Sequence, residues 1–95
     1  MSGPVARRLS IRGRVQGVGF RDAMLDAAHA LGIVGWVRNR LDGTVEALVQ
    51  GTPDSVERMI AFAKRGPPAA RVSAVDVSEA GCDPSCSTFE RTRTS

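Results

Sequence analysis

The chain has 95 residues, 42% of them hydrophobic and 24% charged, enough for one domain over residues 1–95 whose small core needs no disulfide or metal staple. Its net charge of +3 favours small anions, but acids and bases are interleaved, which argues against a nucleic-acid footprint. No window approaches the roughly 18 apolar residues of a membrane span, and Met1 to Arg8 lacks the apolar centre of a leader, so a cytoplasmic protein is expected.

In chain order, Leu9, Ile11 and Val15 alternate with Arg8, Ser10 and Arg12, the period of a half-buried strand. After the glycines at 13, 17 and 19, apolar residues at Phe20, Ala23, Met24, Ala27 and Leu31 fall at helical spacing, and Gly32 closes the helix. His29 lies opposite Phe20 on that wheel and should face solvent. A strand over 34–39 follows, carrying the only tryptophan, Trp36, which with Phe20 is expected to be a core and packing residue. Asp42-Gly43 is a hairpin signal, and 44–50 reads as a third strand with Val45, Ala47 and Val49 on one face. Thr52-Pro53-Asp54 opens a second helix with a hydroxyl N-cap, a proline at N1 and an acid in the first turn. Its stripe is Val56, Met59, Ile60 and Ala63, and Gly66-Pro67-Pro68 ends it. A fourth strand is expected over 72–77, with Val75 and Val77 on one face. Residues 79–87 read as loop, and Thr88-Phe89-Glu90 as a possible short last strand. The order is β-α-β-β-α-β. It predicts an α+β, ferredoxin-like fold, an antiparallel sheet with two helices on one face.

The run Gly13-Arg14-Val15-Gln16-Gly17-Val18-Gly19-Phe20-Arg21 is a strand, a glycine-rich loop and a helix start. Such a junction turns backbone N–H groups into one concavity at the positive end of a helix dipole. Arg14 and Arg21 bracket it, and a guanidinium grips phosphate oxygens in bidentate fashion. A nucleotide-binding GxxxxGK[ST] loop is excluded by the glycine spacing, and GxGxxG fails because Asp22 stands where its last glycine belongs. From the loop alone, a glycine-rich turn without a ligand remains open. Cys82 and Cys86 with a single histidine cannot complete a four-ligand zinc site, so free thiols are expected, with no metal and no cofactor.

Three stretches resemble the acylphosphatase family. Residues 13–21 look like its first signature. Gly35-Trp36-Val37-Arg38-Asn39, with Asp42-Gly43-Thr44-Val45-Glu46 behind it, looks like the second. Gly66-Pro67-Pro68-Ala69-Ala70-Arg71-Val72 is also typical, and the resemblance spans roughly residues 7–79. It implies a ferredoxin-like fold and hydrolysis of acyl phosphates to a carboxylate and inorganic phosphate. It also implies that the backbone of Arg14, Val15, Gln16, Gly17, Val18, Gly19 and Phe20, with the Arg21 side chain, binds the phosphate, and that Asn39 positions the attacking water. Gln16 is expected to contribute only its backbone N–H. Two positions depart from the family pattern. Asp22 follows the signature arginine where an aromatic residue is common, and Arg91 stands where the last strand usually continues apolar.

The chemistry asks for few residues. A carboxylate leaves with a pKa of roughly 4 and needs no strong general acid. Phosphoryl transfer is mainly positioning and electrostatic stabilisation. The expected partner is a small acyl phosphate, with no nucleic acid and no membrane, and a monomer is expected. One alternative is a non-catalytic phosphate-binding regulatory domain of the same fold. An RNA-binding module shares the strand order but needs aromatic residues on the open sheet face, and Phe20 and Phe62 fall on helices instead.

Overall fold

The computed structural model describes residues 3–95. The elements are β1 (Val5–Arg14), α1 (Phe20–Leu31), β2 (Val34–Asn39), β3 (Val45–Gly51), α2 (Pro53–Arg65), β4 (Arg71–Ala80) and β5 (Phe89–Arg91). They form one five-stranded sheet in the order β4-β1-β3-β2-β5 with both helices packed on one face. The ferredoxin-like α+β arrangement read from the sequence is therefore present.

Local chemistry sets the element ends. The Thr52 hydroxyl accepts the Ser55 N–H at 3.2 Å, and Pro53 follows at N1. Gly32 ends α1 in the left-handed region, and the Ile33 N–H reaches the Ala28 carbonyl at 2.9 Å. Between β2 and β3, Asp42 accepts both the Thr44 N–H and the Thr44 hydroxyl, which fixes the hairpin.

The core lies between sheet and helices. Leu9, Ile11, Val37, Val45, Ala47 and Val49 meet Phe20, Met24 and Ala28 of α1 and Val56, Met59 and Ala63 of α2. On α1 the fully buried line is Phe20, Met24 and Ala28, whereas Ala27 and Leu31 are only half-buried. Those two turn toward α2 rather than the sheet, because α1 has two neighbours to satisfy.

Three expectations change. The sheet is mixed rather than wholly antiparallel, because β5 pairs parallel with β2, Gly35 opposite Phe89. β4 continues through Ala80, beyond the expected 72–77, because its backbone keeps pairing with β1 as far as Ala6. The intervening stretch spans from one sheet edge to the other and is clipped by reciprocal hydrogen bonds between the Gln50 side chain and the Asp83 backbone. Trp36 is not a core residue. It is half-buried on the face away from the helices, with Arg8 and Arg38 over its ring at 5.6 and 4.9 Å. Phe20 is in the core as expected.

β1, β2 and β5 all run toward the same end of the sheet, where they stop at Arg14, Asn39 and Arg91. The glycine loop leaves β1 there, so one end of the sheet gathers the loop, the start of α1 and the ends of two further strands.

Candidate active site

The loop between β1 and α1 is shaped by its glycines. Gly17 and Gly19 have φ of 74° and 78°, left-handed conformations that a residue with a Cβ adopts only with strain. Between them the chain turns sharply enough to enter α1 with Gly19 as its N-cap. No side chain caps that end. The first-turn amides of α1 therefore keep their hydrogen-bonding capacity, at the positive end of the helix dipole. Val15 and Phe20 anchor the loop by burying their side chains in the core.

A pocket of about 220 Å³ opens at this point, lined by Val15, Gly17, Gly19, Phe20, Arg21, Asp22, Asn39 and Arg91. Arg21 lies in the first turn of α1 and is half-exposed. Among the described residues it forms no salt bridge, as Arg7, Arg14, Arg65, Arg71 and Arg93 also form none, but of these six only Arg21 lines this pocket. Asn39 enters from the opposite wall, as the last residue of β2. Its backbone is fixed by pairing with Val45 and by the Ser95 N–H, which its carbonyl accepts at 3.1 Å. Its side-chain oxygen is buried without a hydrogen-bond partner. A buried acceptor left open is uncommon and costs about 1–3 kcal/mol, so its presence in a pocket wall marks a place where a donor is expected to bind.

The remaining sequence-derived residues divide. Arg14 is exposed at the end of β1 opposite Arg71 and does not line the pocket. Val18 turns its side chain toward the core. Gln16 does more than the expected backbone N–H. Its side-chain amide donates to the Arg40 carbonyl at 2.8 Å and to the Thr44 carbonyl at 2.9 Å. That ties the loop to the hairpin immediately after Asn39, so the two walls of the pocket hold a common frame. Nothing in the sequence signals this, since a glutamine in a glycine loop has no period to match. His29 is exposed, with its Nε2 3.4 Å from the Phe89 carbonyl oxygen, and lies outside the pocket.

Asp22 and Arg91, the two departures noted in the sequence, meet. Arg91 donates to the Asp22 carboxylate at 2.6 Å across the pocket wall. The carboxylate beside the anion site is thus partnered by a cation rather than left to oppose one. A larger hollow, about 780 Å³, lies between α1 and α2 against Ala23, Ala27, Phe62 and Pro67. It is mostly apolar and gathers no comparable set of donors. Among the described residues no three His, Cys, Asp or Glu side chains cluster as metal ligands would. No helix there is long and apolar enough to cross a membrane.

An uncapped helix start, a left-handed glycine loop, a guanidinium without a salt bridge and an open amide oxygen surround one small pocket of an α+β domain, a donor set of the kind an oxyanion needs. The chain belongs to the acylphosphatase family, whose model matches residues 7–91. It is 55% identical over 89 residues to an acylphosphatase of Azoarcus sp. strain BH72, covering 85% of this chain and 91% of that one. The fold matches the acylphosphatase of Coxiella burnetii with a TM-score of 0.89 at 32% identity, covering 94% of this chain and 93% of that one. It matches that of Bacillus subtilis with a TM-score of 0.88 at 33% identity, covering 93% and 98%.

Proposed function

We propose that this pocket carries out the hydrolysis of acyl phosphates, with the loop and Arg21 holding the phosphoryl group and Asn39 orienting the attacking water. Acyl phosphate hydrolysis is the activity of the family to which the chain belongs. The observation that carries the assignment of roles is the buried, unpartnered Asn39 side-chain oxygen in the wall of the same pocket as Arg21.

In this reading the backbone N–H groups of residues 15–20 and the Arg21 guanidinium meet the three phosphoryl oxygens. They stabilise the charge as it spreads in the transition state. The Asn39 oxygen accepts one hydrogen of a water and aims its lone pair at phosphorus. The new water O–P bond forms as the P–O bond to the acyl group breaks, and the electron pair leaves with the carboxylate. A phosphoryl oxygen takes the proton the water sheds, since the pocket lining holds no histidine and its one carboxylate, Asp22, is engaged by Arg91; the carboxylate leaves without an acid. Gln16 acts as a positioning residue, keeping loop and hairpin in register.

The same reading takes residues 1–95 as one monomeric, cytoplasmic domain that binds a small substrate and no nucleic acid. Support for the last point is that Trp36, the one aromatic residue on the open sheet face, already stacks with Arg8 and Arg38. Light scattering and a gel-shift assay with single-stranded RNA test these points.

The deciding experiment is hydrolysis of benzoyl phosphate by the wild type beside Asn39→Ala, in excess EDTA. Fast wild-type turnover that the variant loses is expected. Folded wild type that binds phosphate but does not turn over would make the pocket a receptor and overturn the reading.

A further inference from the structure

The phosphoryl group accounts for the loop, Arg21 and Asn39, but not for the second arginine of the pocket. Arg91 comes from the end of β5 and Asp22 from the first turn of α1, 69 residues apart, and they meet on the pocket wall at 2.6 Å. We infer that this pair sets substrate specificity, with Arg91 recognising acyl phosphates whose acyl group carries a second carboxylate. The inference rests on the proposed reading of the pocket as a phosphoryl site.

The geometry carries it in three steps. First, the pocket is small, so an acyl group attached to a phosphoryl group on the loop lies within reach of the wall that Asp22 and Arg91 help to form. Second, the Arg91 side chain is 45% exposed and the Asp22 side chain 70%, so the pair is hydrated and weak in its own right. Asp22 engages one terminal nitrogen, whereas a guanidinium offers five N–H donors in a fork. Arg91 can therefore stay anchored on Asp22 and present its remaining donors to a carboxylate on the substrate. Third, the wall discriminates by repulsion as well as attraction. An apolar acyl group lying over a charged pair strips its water and returns no hydrogen bond. An anionic one replaces that water with a charge-assisted bond.

Asp22 is the anchor in this arrangement. Its charge is answered by Arg91, so it orients the reading group without setting an unpaired carboxylate beside the phosphate. A strut that merely tied β5 to α1 would affect every substrate alike, which two substrates differing by one carboxylate distinguish.

The test compares 3-carboxybenzoyl phosphate with benzoyl phosphate, which differ by one carboxylate on the same ring, each corrected for its uncatalysed hydrolysis. In the wild type the kcat/KM ratio should favour the carboxylated substrate by on the order of 10-fold, the scale of one hydrogen bond between charged groups. That ratio should shrink as salt is raised. Arg91→Gln should bring it close to one, Arg91→Lys should retain part of it, and Asp22→Asn should keep it above one. A wild-type ratio at or below one overturns the inference. So does an Arg91→Gln enzyme that loses stability or activity equally on both substrates, as a strut would. Wild type that hydrolyses neither compound would instead sink the reading of the pocket itself.

Discussion

Two regions of this molecule are rich in arginine, and they use it in opposite ways. On the sheet face away from the helices, Arg8, Arg38 and Arg40 converge on the Glu46 carboxylate at 3.2, 2.7 and 3.0 Å, and Arg8 and Arg38 also lie over the Trp36 ring. Each of these three guanidiniums has the Glu46 carboxylate as a partner. At the end of the sheet, Arg21 forms no salt bridge among the described residues, the start of α1 has no side-chain cap, and the Asn39 oxygen is buried and unbonded. The first region is finished by folding, whereas the second is left open by it. Arg7, Arg14, Arg65, Arg71 and Arg93 also lack a salt bridge among the described residues, so what marks the site is not an unpaired arginine alone but one that lines a pocket together with an open acceptor.

The comparison predicts opposite responses to substitution. Arg21→Lys keeps a positive charge but loses the planar fork, and should lower kcat/KM by on the order of 10³-fold while Tm stays within a few degrees of wild type. Steady-state kinetics beside a thermal melt checks this. Wild-type-like kinetics would remove the guanidinium from the mechanism.

Asn39→Ala comes next. It should lower kcat on the order of 10²-fold with phosphate binding nearly intact, since the side chain meets water rather than phosphate. It also removes a buried acceptor that folding leaves unsatisfied. Stability should thus hold or rise slightly, the signature of a group kept for function. A marked drop in Tm would show that Asn39 serves the fold.

Gln16→Leu sharpens the boundary between the two regions, because its side chain belongs to neither class. It lines no pocket, but it satisfies the Arg40 and Thr44 carbonyls from the loop. Losing both bonds should cost about 1–3 kcal/mol. Turnover should fall roughly 10-fold as loop and Asn39 lose their common frame. Urea unfolding and kinetics on the same sample separate the two effects. A variant that loses stability alone would show that the tie does not position the site.

How much of this was legible in the sequence follows from how far apart the interacting residues stand. The helix ends at Thr52-Pro53 and Gly32, the Asp42-Gly43 turn and the loop glycines are local signals, and each is realised where the residues stand. Signature residues Arg21 and Asn39 reach one pocket because β1 and β2, both paired antiparallel with β3, run the same way. A short last strand near Phe89 is legible, but its parallel pairing with β2 is not. Its three residues carry no period, and its pairing with β2 depends on a crossing clipped by Gln50 and Asp83. Arg91 and Asp22 therefore read as two separate departures from the family pattern, when each is the other's partner. Trp36 misled for a related reason. Alternation gives its position relative to neighbours in the strand but not which face the helices cover, and Arg8 supplies a cover that only the folded sheet brings near.

The smallest expected effect comes from the finished region. Burial alone would push the Glu46 carboxyl up, but hydrogen bonds from Arg38 and Arg40 outweigh it and hold the group below its ordinary value of 4.5. A carboxyl lowered in the folded state contributes stability that is fully present above the unfolded value and is lost as pH falls through the folded one. Glu46 should therefore add to stability at neutral pH and stop doing so on acidification below about 4.5. Glu46→Gln keeps the shape and one acceptor but not the charge. It should lower stability at pH 7 by about 1 kcal/mol, a modest value because Arg8 and Arg40 are themselves substantially exposed. Its melting temperature should then fall less steeply than wild type as the pH drops. Some acid sensitivity should persist, because Asp42, held low by hydrogen bonds from Thr44, and Asp83, held low by those from Ser85, titrate the same way. Acyl phosphate turnover should stay within about twofold, since no atom of this cluster lines the pocket. Melting curves from pH 7 to pH 3 for both proteins decide it. Parallel curves would mean that the three arginines screen one another rather than hold Glu46, and the contrast between a satisfied and an open arginine region would lose its energetic half.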